Sequence, residues 1–303
     1  MRLRHIEVFH AVYTCGTVTA ASKFLQVSQP SVSKVLAHAE QQLGYALFDR
    51  VKGKLVPTLE AERLIGNVSS VYQSIDELQR VSRNIGASDI GRIRLLVTPA
   101  FGIDFIPSVI AGYLEQHPDT EFDVETQHYE QAIRALNQSR IDLAIVFHPA
   151  SEPGIKADHL ATGQFVALAG SGVDIGNGQS VHLSDLRKFP FIKLSDRGPL
   201  GQLLTKHLEA SDVQLKSSVK VETYQMAKAL VAHGAGVTIV DEITARSSGH
   251  RNVQFKKLNP ELNFNITLLT LESTPLSIVS QRFVSHLKPR LQSFLKQPLF
   301  LKP

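Results

Sequence analysis

The 303-residue sequence has very little cysteine and contains no long hydrophobic run. Its single cysteine, Cys15, supports neither a disulfide framework nor a cysteine-based metal site. No stretch approaches the roughly 18 apolar residues that a membrane-spanning helix needs. Arg2, Arg4 and Glu7 interrupt any apolar segment near the N-terminus, so we expect no secretory signal. These absences predict a soluble protein of the reducing cytoplasm with no membrane partner.

The signatures of common enzyme classes are also missing. The twelve histidines show no zinc-protease spacing, and no Gly-x-Ser-x-Gly nucleophile elbow occurs. The glycines of Gly234-Ala235-Gly236 follow a predicted helix and precede a predicted strand, which reverses the order of a dinucleotide-binding motif. We therefore expect no catalytic residues, no bound metal and no cofactor.

Positive charge is concentrated at the N-terminal end of the sequence. Residues 1–58 contain seven lysines and arginines against three acidic residues, whereas residues 59–303 contain 25 of each sign. The whole net charge of +4 therefore lies in the first fifth of the chain. A basic terminal module joined to a neutral body is typical of a protein with a DNA-binding head, although chance clustering of so few charges also fits.

The first 44 residues have the pattern of three short helices. Apolar residues at helical spacing form the first helix, which ends at Gly16, and Thr17 or Thr19 begins the second. Ser28 is placed to begin the third helix, and Pro30 falls in its first turn, where no backbone N–H is needed. The third helix has one apolar stripe, which consists of Val32, Val35, Leu36, Ala39 and Leu43.

Polar side chains on the opposite face of the third helix suit contacts with DNA. Glutamine can bond an adenine edge, lysine can reach guanine or a phosphate, and serine hydroxyls can bond bases or the backbone. The candidate DNA-facing residues are Gln29, Ser31, Ser33 and Lys34. The alternative is that this is merely the solvated face of a small helical bundle.

A basic hairpin is predicted to follow the third helix. Residues 45–57 read as two short extended pieces around Lys52-Gly53-Lys54, and glycine at a tight turn favours a β-hairpin. Arg50, Lys52 and Lys54 are therefore candidate contacts to phosphates, which would make part of the affinity salt-dependent. Together these elements predict a winged helix-turn-helix over residues 1–58.

The stretch from Leu3 to Arg50 resembles the DNA-binding head of the LysR-type transcriptional regulators. The motifs that carry the resemblance are Ala20-Ala21-Ser22, Ser28–Lys34, Ala39-Glu40, Leu43-Gly44 and Leu47–Arg50. The residues that the resemblance places on DNA are Gln29, Pro30, Ser33 and Lys34 at the bases and Arg50 in the wing. After the wing most of the family continues Thr-x-Ala-Gly. This chain has Pro57–Ala61 instead, a form similar to the branch that regulates lysine, octopine and nopaline metabolism.

An apolar seam with alternating spacings of four and three runs through residues 59–90. Its members are Leu64, Val68, Val71, Ile75 and Leu78. This heptad pattern favours pairing between helices, so we predict a linker helix that joins two chains and ends in a hinge. An ordinary amphipathic helix is the alternative. Two-fold symmetry of the pair would match a partly palindromic DNA site.

From residue 91 onward, short apolar strands alternate with helices, which indicates an α/β fold. The predicted strands are 93–97, 121–126, 141–147, 165–169, 191–194, 218–222, 237–240 and 265–271. The predicted helices are 105–117, 131–139, 200–210, 224–233 and 276–296. Two segments, Ser139–Ile145 and Gly234–Glu242, carry a further resemblance. Through them residues 91–303 resemble the effector domain of the same family, which is similar to a type 2 periplasmic-binding protein. The resemblance implies two lobes, residues 91–163 with 267–303 and residues 164–266.

Ligands of open α/β sheets bind beyond the carboxyl ends of the strands, which locates a candidate effector cleft. The residues at these ends are Thr98, Pro99, Ala100, Phe101, Phe147, Ser195, Asp196 and Thr223. Hydroxyls and free N–H groups suit a carboxylate. Asp196 suits an amine, whereas Arg197 would instead favour an acid. Ordinary strand-end capping is the alternative for each residue. The resemblance to the metabolic branch implies an amino acid or a derivative as the effector.

The sequence therefore predicts a ligand-responsive regulator that binds promoter DNA and controls transcription. A cytoplasmic solute-binding or sensor protein that acts through protein contacts is the alternative. The resemblance further implies a homotetramer built from two dimers and contact with RNA polymerase, as in an activator. Effector binding would shift the population of domain arrangements and so change the spacing of the DNA-binding heads.

Overall fold

The computed structural model of the protein describes residues 1–51, 54–69, 71, 75, 91–176, 178–249 and 252–297. The chain divides into two units, residues 1–82 and residues 83–303. Within the described ranges, no helix combines the length and the apolar character that crossing a membrane requires.

The described part of the N-terminal unit consists of four helices and a hairpin. They are α1 (Leu3–Cys15), α2 (Val18–Phe24), α3 (Gln29–Leu43), β1 (Phe48–Val51), β2 (Lys54–Pro57) and α4, which covers residues 59–69. Gly16 and Gly44 end α1 and α3 with left-handed φ angles of 70° and 81°. Thr17 begins α2 and accepts a hydrogen bond from Ala20 N at 3.1 Å, whereas Ser28 begins α3 without a side-chain cap. The predicted winged helix-turn-helix is confirmed.

Two members of the predicted linker seam pack on the head itself. Val68 is 3% exposed in the core that α1, α2, α3 and the wing share, and Leu64 packs against that core. Val71, one turn further on, is 42% exposed, and Ile75 is half-buried. Leu78 lies outside the described residues. The first half of the seam therefore attaches α4 to the head, and of its described later members Val71 is the more exposed.

A pair of histidines joins α1 to α3. His5 is almost fully buried, and its Nδ1 accepts a hydrogen bond from Arg2 N at 3.1 Å. Its Nε2 must then carry the ring proton, which it donates to Nδ1 of His38 at 3.0 Å. Burial, followed by repulsion from His38, the N-terminal amine and Arg2, lowers the pKa of His5. The folded head therefore favours the neutral form of His5.

We expect the head to lose stability as the solution is acidified. Because the pKa of His5 is lower in the folded chain than its usual 6.5, the unfolded chain takes up protons first. The stabilisation is thus complete above about pH 6.5 and is lost as the pH falls from there through the folded value. Urea unfolding of the full chain, followed by circular dichroism at several pH values, should show a weaker pH dependence in His5→Gln. If stability depended on pH in the same way in both proteins, His5 would not be the source of the acid sensitivity.

Strands and helices alternate through the C-terminal unit. The strands are β3 (Gly91–Val97), β4 (Thr120–Thr126), β5 (Leu143–Phe147), β6 (Ile155–Gly170), β7 (Ser180–His182), β8 (Phe191–Leu194), β9 (Ser217–Val221), β10 (Thr238–Asp241), β11 (Val253–Asn259) and β12 (Asn263–Leu271). The helices are α5 (Phe105–Leu114), α6 (Tyr129–Asn137), α7 (Pro199–Ala210), α8 (Tyr224–Ala232), α9 (Glu242–Arg246) and α10 (Ile278–Lys296). A 3₁₀ helix covers Leu183–Lys188.

One long strand, β6, belongs to two parts of the main sheet. Up to Gln164 it pairs antiparallel with β12, beyond which lie β5, β3 and the edge strand β4; we call this the first sheet part. From Phe165 onward β6 pairs antiparallel with β10 and with β11, and β7 follows β11; this is the second sheet part. The parallel pair of β8 and β9 adjoins β10 through a bridge between Phe191 and Val237.

All the predicted strands and helices of this unit correspond to observed ones, and the α/β prediction is confirmed. The prediction for β6 was too short, because residues 155–164 were not recognised as strand. Four further elements, β7, the 3₁₀ helix, β11 and α9, were not predicted.

Candidate functional site

The first two turns of α3 present polar side chains to solvent. Gln29, Pro30, Ser33 and Lys34 are exposed and Ser31 is half-buried, while Val32 and Leu36 on the other face are buried. The Gln29 side-chain oxygen accepts a hydrogen bond from the Thr19 hydroxyl at 3.4 Å, which links the start of α3 to α2. This surface offers an amide, hydroxyls and an ammonium at the N-terminal end of one helix, the part that reads bases in a helix-turn-helix.

A carboxylate of α3 bonds the backbone at the start of the wing. Glu40 Oε1 accepts hydrogen bonds from the backbone N–H groups of Leu47 at 2.8 Å and Phe48 at 3.3 Å. Thr58 closes the base of the hairpin, where its N–H donates to the Leu47 carbonyl at 3.0 Å. In the hairpin Arg50 pairs with Leu55, and Lys52 lies outside the described residues. Sequence reasoning missed this role of Glu40, because nothing in the Ala39-Glu40 motif indicates which groups its carboxylate meets.

Replacing Glu40 by alanine should loosen the wing. Leu47 and Phe48 are buried, so their N–H groups would lose their acceptor, which costs about 1–3 kcal/mol. We expect a lower Tm for the head and weaker DNA binding, measured by thermal unfolding and fluorescence anisotropy. Glu40→Gln keeps one acceptor oxygen and should recover most of both. Glu60→Ala, at an exposed position of α4, is the control; a loss as large in Glu60→Ala would contradict the role given to Glu40.

A cavity of about 320 Å³ opens in the C-terminal unit between elements of the two sheet parts. The ends of β3, β5, β8 and β9 and the first turns of α6, α7 and α8 form its walls. The lining residues are Thr98, Pro99, Ala100, His128, Tyr129, Glu130, Gln131, Phe147, Leu194, Ser195, Arg197, Gly198, Pro199, Leu200, Gly201, Glu222, Thr223, Tyr224 and Gln225.

Several hydrogen-bonding groups at this cavity have no protein partner. First-turn N–H groups of a helix lack an intrahelical acceptor, and three helices begin here. In the part of the chain that the structure describes, three buried side-chain groups are also unpaired: Thr98 Oγ1, Gln225 Nε2 and the Tyr224 hydroxyl. Burial, reinforced by the nearby Asp241 carboxylate, raises the pKa of Tyr224 well above its usual value, so the hydroxyl remains a donor. Buried unpaired donors at a cavity are suited to a ligand rich in acceptor oxygens.

Charged side chains surround the mouth of the cavity. The Arg197 guanidinium bonds the Glu222 carboxylate at 3.2 Å, and both side chains are largely exposed. Asp196 points instead to Lys220, also at 3.2 Å. Its own backbone N–H, and after it Lys220, lowers the pKa of Asp196, so this carboxylate is already paired. Of these four side chains, Arg197 and Glu222 line the cavity, and they bring charges of opposite sign to its mouth.

Comparison with known sequence families now decides what this combination is. Residues 3–62 match the family described as "Bacterial regulatory helix-turn-helix protein, lysR family", and residues 86–292 match the family described as "LysR substrate binding domain". The chain belongs to the LysR family. It is a LysR-type transcriptional regulator with a DNA-binding domain and an effector-binding domain, and it is not an enzyme.

Individual relatives of this LysR-type regulator cover nearly its whole length. It is 44% identical to the HTH-type transcriptional regulator DgcR of Pseudoalteromonas, over 95% of this chain and 99% of that protein. It is 28% identical to the transcriptional activator protein LysR of Escherichia coli, over 96% and 94%. Full-length CbnR, solved with its target DNA, has the same fold, with a TM-score of 0.67, 19% identity and coverage of 96% and 100%.

Six of the eight residues predicted for the effector cleft line the observed cavity: Thr98, Pro99, Ala100, Phe147, Ser195 and Thr223. Phe101 and Asp196 do not. The ring of Phe101 is fully buried and stacks on Phe147 at 4.8 Å, and Asp196 is turned towards Lys220. Sequence reasoning missed the first turns of α6 and α8. The signal for α8 was available, because α8 follows the predicted strand 218–222, at whose end the cleft was already expected. The strand that precedes α6, residues 121–126, was not expected to contribute to the cleft.

Proposed function

We propose that this LysR-type regulator acts in the cytoplasm on a partly palindromic promoter site and responds to a small carboxylate ligand. Residues 1–58 read the DNA, residues 59–90 join two chains, and residues 91–303 bind the effector between lobes 91–163 with 267–303 and 164–266. The observation that carries the proposal is the cavity, in which three helix N-termini and buried unpaired donors converge.

On DNA, the exposed first turns of α3 enter the major groove in this proposal. Gln29 and Lys34 bond base edges, Pro30 and Ser33 lie against the bases, and Ser31 contacts the backbone. Arg50, Lys52 and Lys54 in the wing bind phosphates. Two chains pair through the part of the seam that begins at Val71, and two such dimers form a tetramer that contacts RNA polymerase.

For the effector, the proposed class is an amino acid or a derivative that keeps its carboxylate. The carboxylate accepts hydrogen bonds from Thr98 Oγ1 and from first-turn N–H groups, where the helix dipoles also favour negative charge. In this proposal the ammonium group meets the Glu130 carboxylate on the cavity wall, because Glu222 already bonds Arg197. One relative, at 24% identity, is an octopine catabolism/uptake operon regulatory protein, which is consistent with a ligand of this class.

A thermal-shift screen of the full chain tests the ligand class. Each amino acid is compared with the amine that lacks its carboxylate and with the 2-oxo acid that lacks its ammonium group. We expect an amino acid or its derivative to raise the Tm and its matched amine to have no effect. Equal stabilisation by the amine would overturn the assignment of the carboxylate site.

Thr98→Val should weaken the binding of this ligand without changing the shape of the cavity wall. The substitution exchanges only the hydroxyl for a methyl group, and a hydrogen bond to a charged group contributes about 1.5–3 kcal/mol, or roughly 10- to 150-fold in Kd. Thr120→Val is a matched control, because Thr120 is equally buried and its Oγ1 is also unpaired among the described residues, yet it does not line the cavity. Calorimetric affinities that fall equally in both variants would contradict the role of Thr98.

A further inference from the structure

The carboxylate of Asp104 makes an unusual long-range contact. Asp104 occupies the N-cap position of α5, but it does not cap that helix. Its Oδ1 accepts a hydrogen bond from the Ser248 hydroxyl at 2.8 Å, and its Oδ2 accepts one from the Ser248 N–H. Asp104 follows the cavity-lining residues 98–100 by one short turn, whereas Ser248 follows α9, which continues from β10 of the second sheet part. The contact therefore joins the two sheet parts.

The C-terminal end of α9 is also bound by a buried lysine. Lys228 of α8 is 3% exposed, and its Nζ donates to the carbonyl oxygens of Thr244 at 3.1 Å, Ala245 at 3.0 Å and Ser247. Lys228 stands one turn after Gln225, which lines the cavity on the second side. The Asp104 carboxylate attracts the Lys228 ammonium as well. Two segments therefore connect the cavity to the end of α9. Residues 98–104 line the cavity at their start and bond Ser248 through Asp104, and residues 223–228 line it at their start and bond α9 through Lys228.

A second contact from α9 reaches the first sheet part. Arg246 donates to the carbonyl oxygens of Leu295 at 3.3 Å and Gln297 at 2.9 Å, at the end of α10. Its partner on α9, Glu242, accepts a hydrogen bond from Gln164 N at 2.9 Å, where β6 passes from one sheet part to the other. Any change in the separation of the two cavity walls must therefore strain or break bonds to α9.

We infer that Asp104 is a positioning residue of the effector cavity: through Ser248 it holds the wall formed by residues 98–100 at a fixed separation from the wall formed by α8. Asp104 does not line the cavity, so it acts on a ligand only through this separation. The relevance to effector binding rests on the proposed function, but the separation itself is a property of the ligand-free protein. Neutralising the Asp104 carboxylate widens the range of distances between the two walls. Removing the Ser248 hydroxyl widens it less, because the hydrogen bond from the Ser248 N–H to Asp104 remains.

The separation is measurable by pulsed electron-spin distance spectroscopy without any ligand. Spin labels are placed at exposed positions of the two sides, Arg134→Cys on α6 and Lys206→Cys on α7, in the full chain carrying Cys15→Ser. Excess unlabelled chain suppresses distances between protomers. We expect a narrow distribution that becomes broader and longer by several ångström in Asp104→Asn, and less so in Ser248→Ala. Asp119→Asn, at an exposed position before β4, is the control.

The distance distributions of the Asp104 and Ser248 variants show whether Asp104 fixes the separation of the walls. A broader distribution in Asp104→Asn, with far-ultraviolet circular dichroism unchanged, supports it, since a purely structural loss would lower secondary structure as well. Distributions in Asp104→Asn and Ser248→Ala that superimpose on that of Asp119→Asn would overturn it. Should Asp104→Asn fail to fold, Ser248→Ala alone gives the answer. Failure of the amino-acid screen leaves this result intact, so the two proposals fail separately.

Discussion

Replacing Gly201 by alanine is expected to abolish the stabilisation of the protein by its ligand. A Cβ at this position would lie 2.1 Å from the Ser195 carbonyl oxygen and 3.0 Å from the Asp196 Cα. Both are backbone atoms, so the contact is relieved only if the first turn of α7 moves away from residues 195–198. Each of these segments lines the cavity, and overpacking of this kind costs about 1–3 kcal/mol. The measurement is the Tm with and without the amino acid that the screen identifies.

Gly112→Ala is the matched control for this substitution. Gly112 also lies inside a helix, α5, and a Cβ there would meet nothing within 4 Å. We expect this change to stabilise the protein by about 0.5–1 kcal/mol and to leave ligand binding unchanged. Ligand binding that survives in Gly201→Ala would show that the first turn of α7 does not frame the site.

Alanine substitutions at Gln29 and Lys34 should have the largest effects on DNA binding. Both side chains are exposed at the start of α3, and a bidentate contact to a base contributes about 1–3 kcal/mol of discrimination, or roughly 5- to 150-fold. Gln29→Ala should relax the preference at one base pair of each half-site. Lys34→Ala should weaken binding and, where Lys34 bonds a phosphate, reduce the salt dependence by about one counterion. Fluorescence anisotropy on a duplex selected by the unmodified protein measures both.

Gln41→Ala provides the comparison on the same helix. Gln41 is exposed near the C-terminal end of α3, away from the proposed reading turns, and its loss should leave affinity and specificity unchanged. If Gln41→Ala were as damaging as Gln29→Ala, the reading surface would not lie at the start of α3.

The head was predictable because its limits are set by local signals. Gly16 and Gly44 end helices through their left-handed φ, and Thr17 begins one through its hydroxyl. The seam of α4 was harder, because Leu64 and Val68 satisfy both a heptad pattern and the core of the head. Periodicity shows which side of a helix is apolar, but it does not identify the surface that covers that side.

The features that sequence reasoning missed depend on contacts between residues far apart in the chain. Residues 155–164 carry exposed Lys156, Ala157 and Thr162 among more buried neighbours, without a continuous apolar run, and they become strand only because β12 pairs with them. In the cleft, strand ends predicted Thr98, Ser195 and Thr223, since that rule depends on the direction of the chain alone. It cannot foresee that Phe101 turns into the core or that Asp196 meets Lys220, because both depend on tertiary contacts.

Selection of DNA by the full-length protein from a pool of random duplexes at physiological salt shows whether α3 reads a sequence. We expect enrichment of a partly palindromic motif, with half-sites separated by whole helical turns and bound at least about a thousandfold tighter than the unselected pool. In Gln29→Ala the preference at one position of each half-site should be lost. Recovery of no motif, with equal affinity for selected and unselected duplexes, would contradict the claim that α3 reads the sequence of DNA.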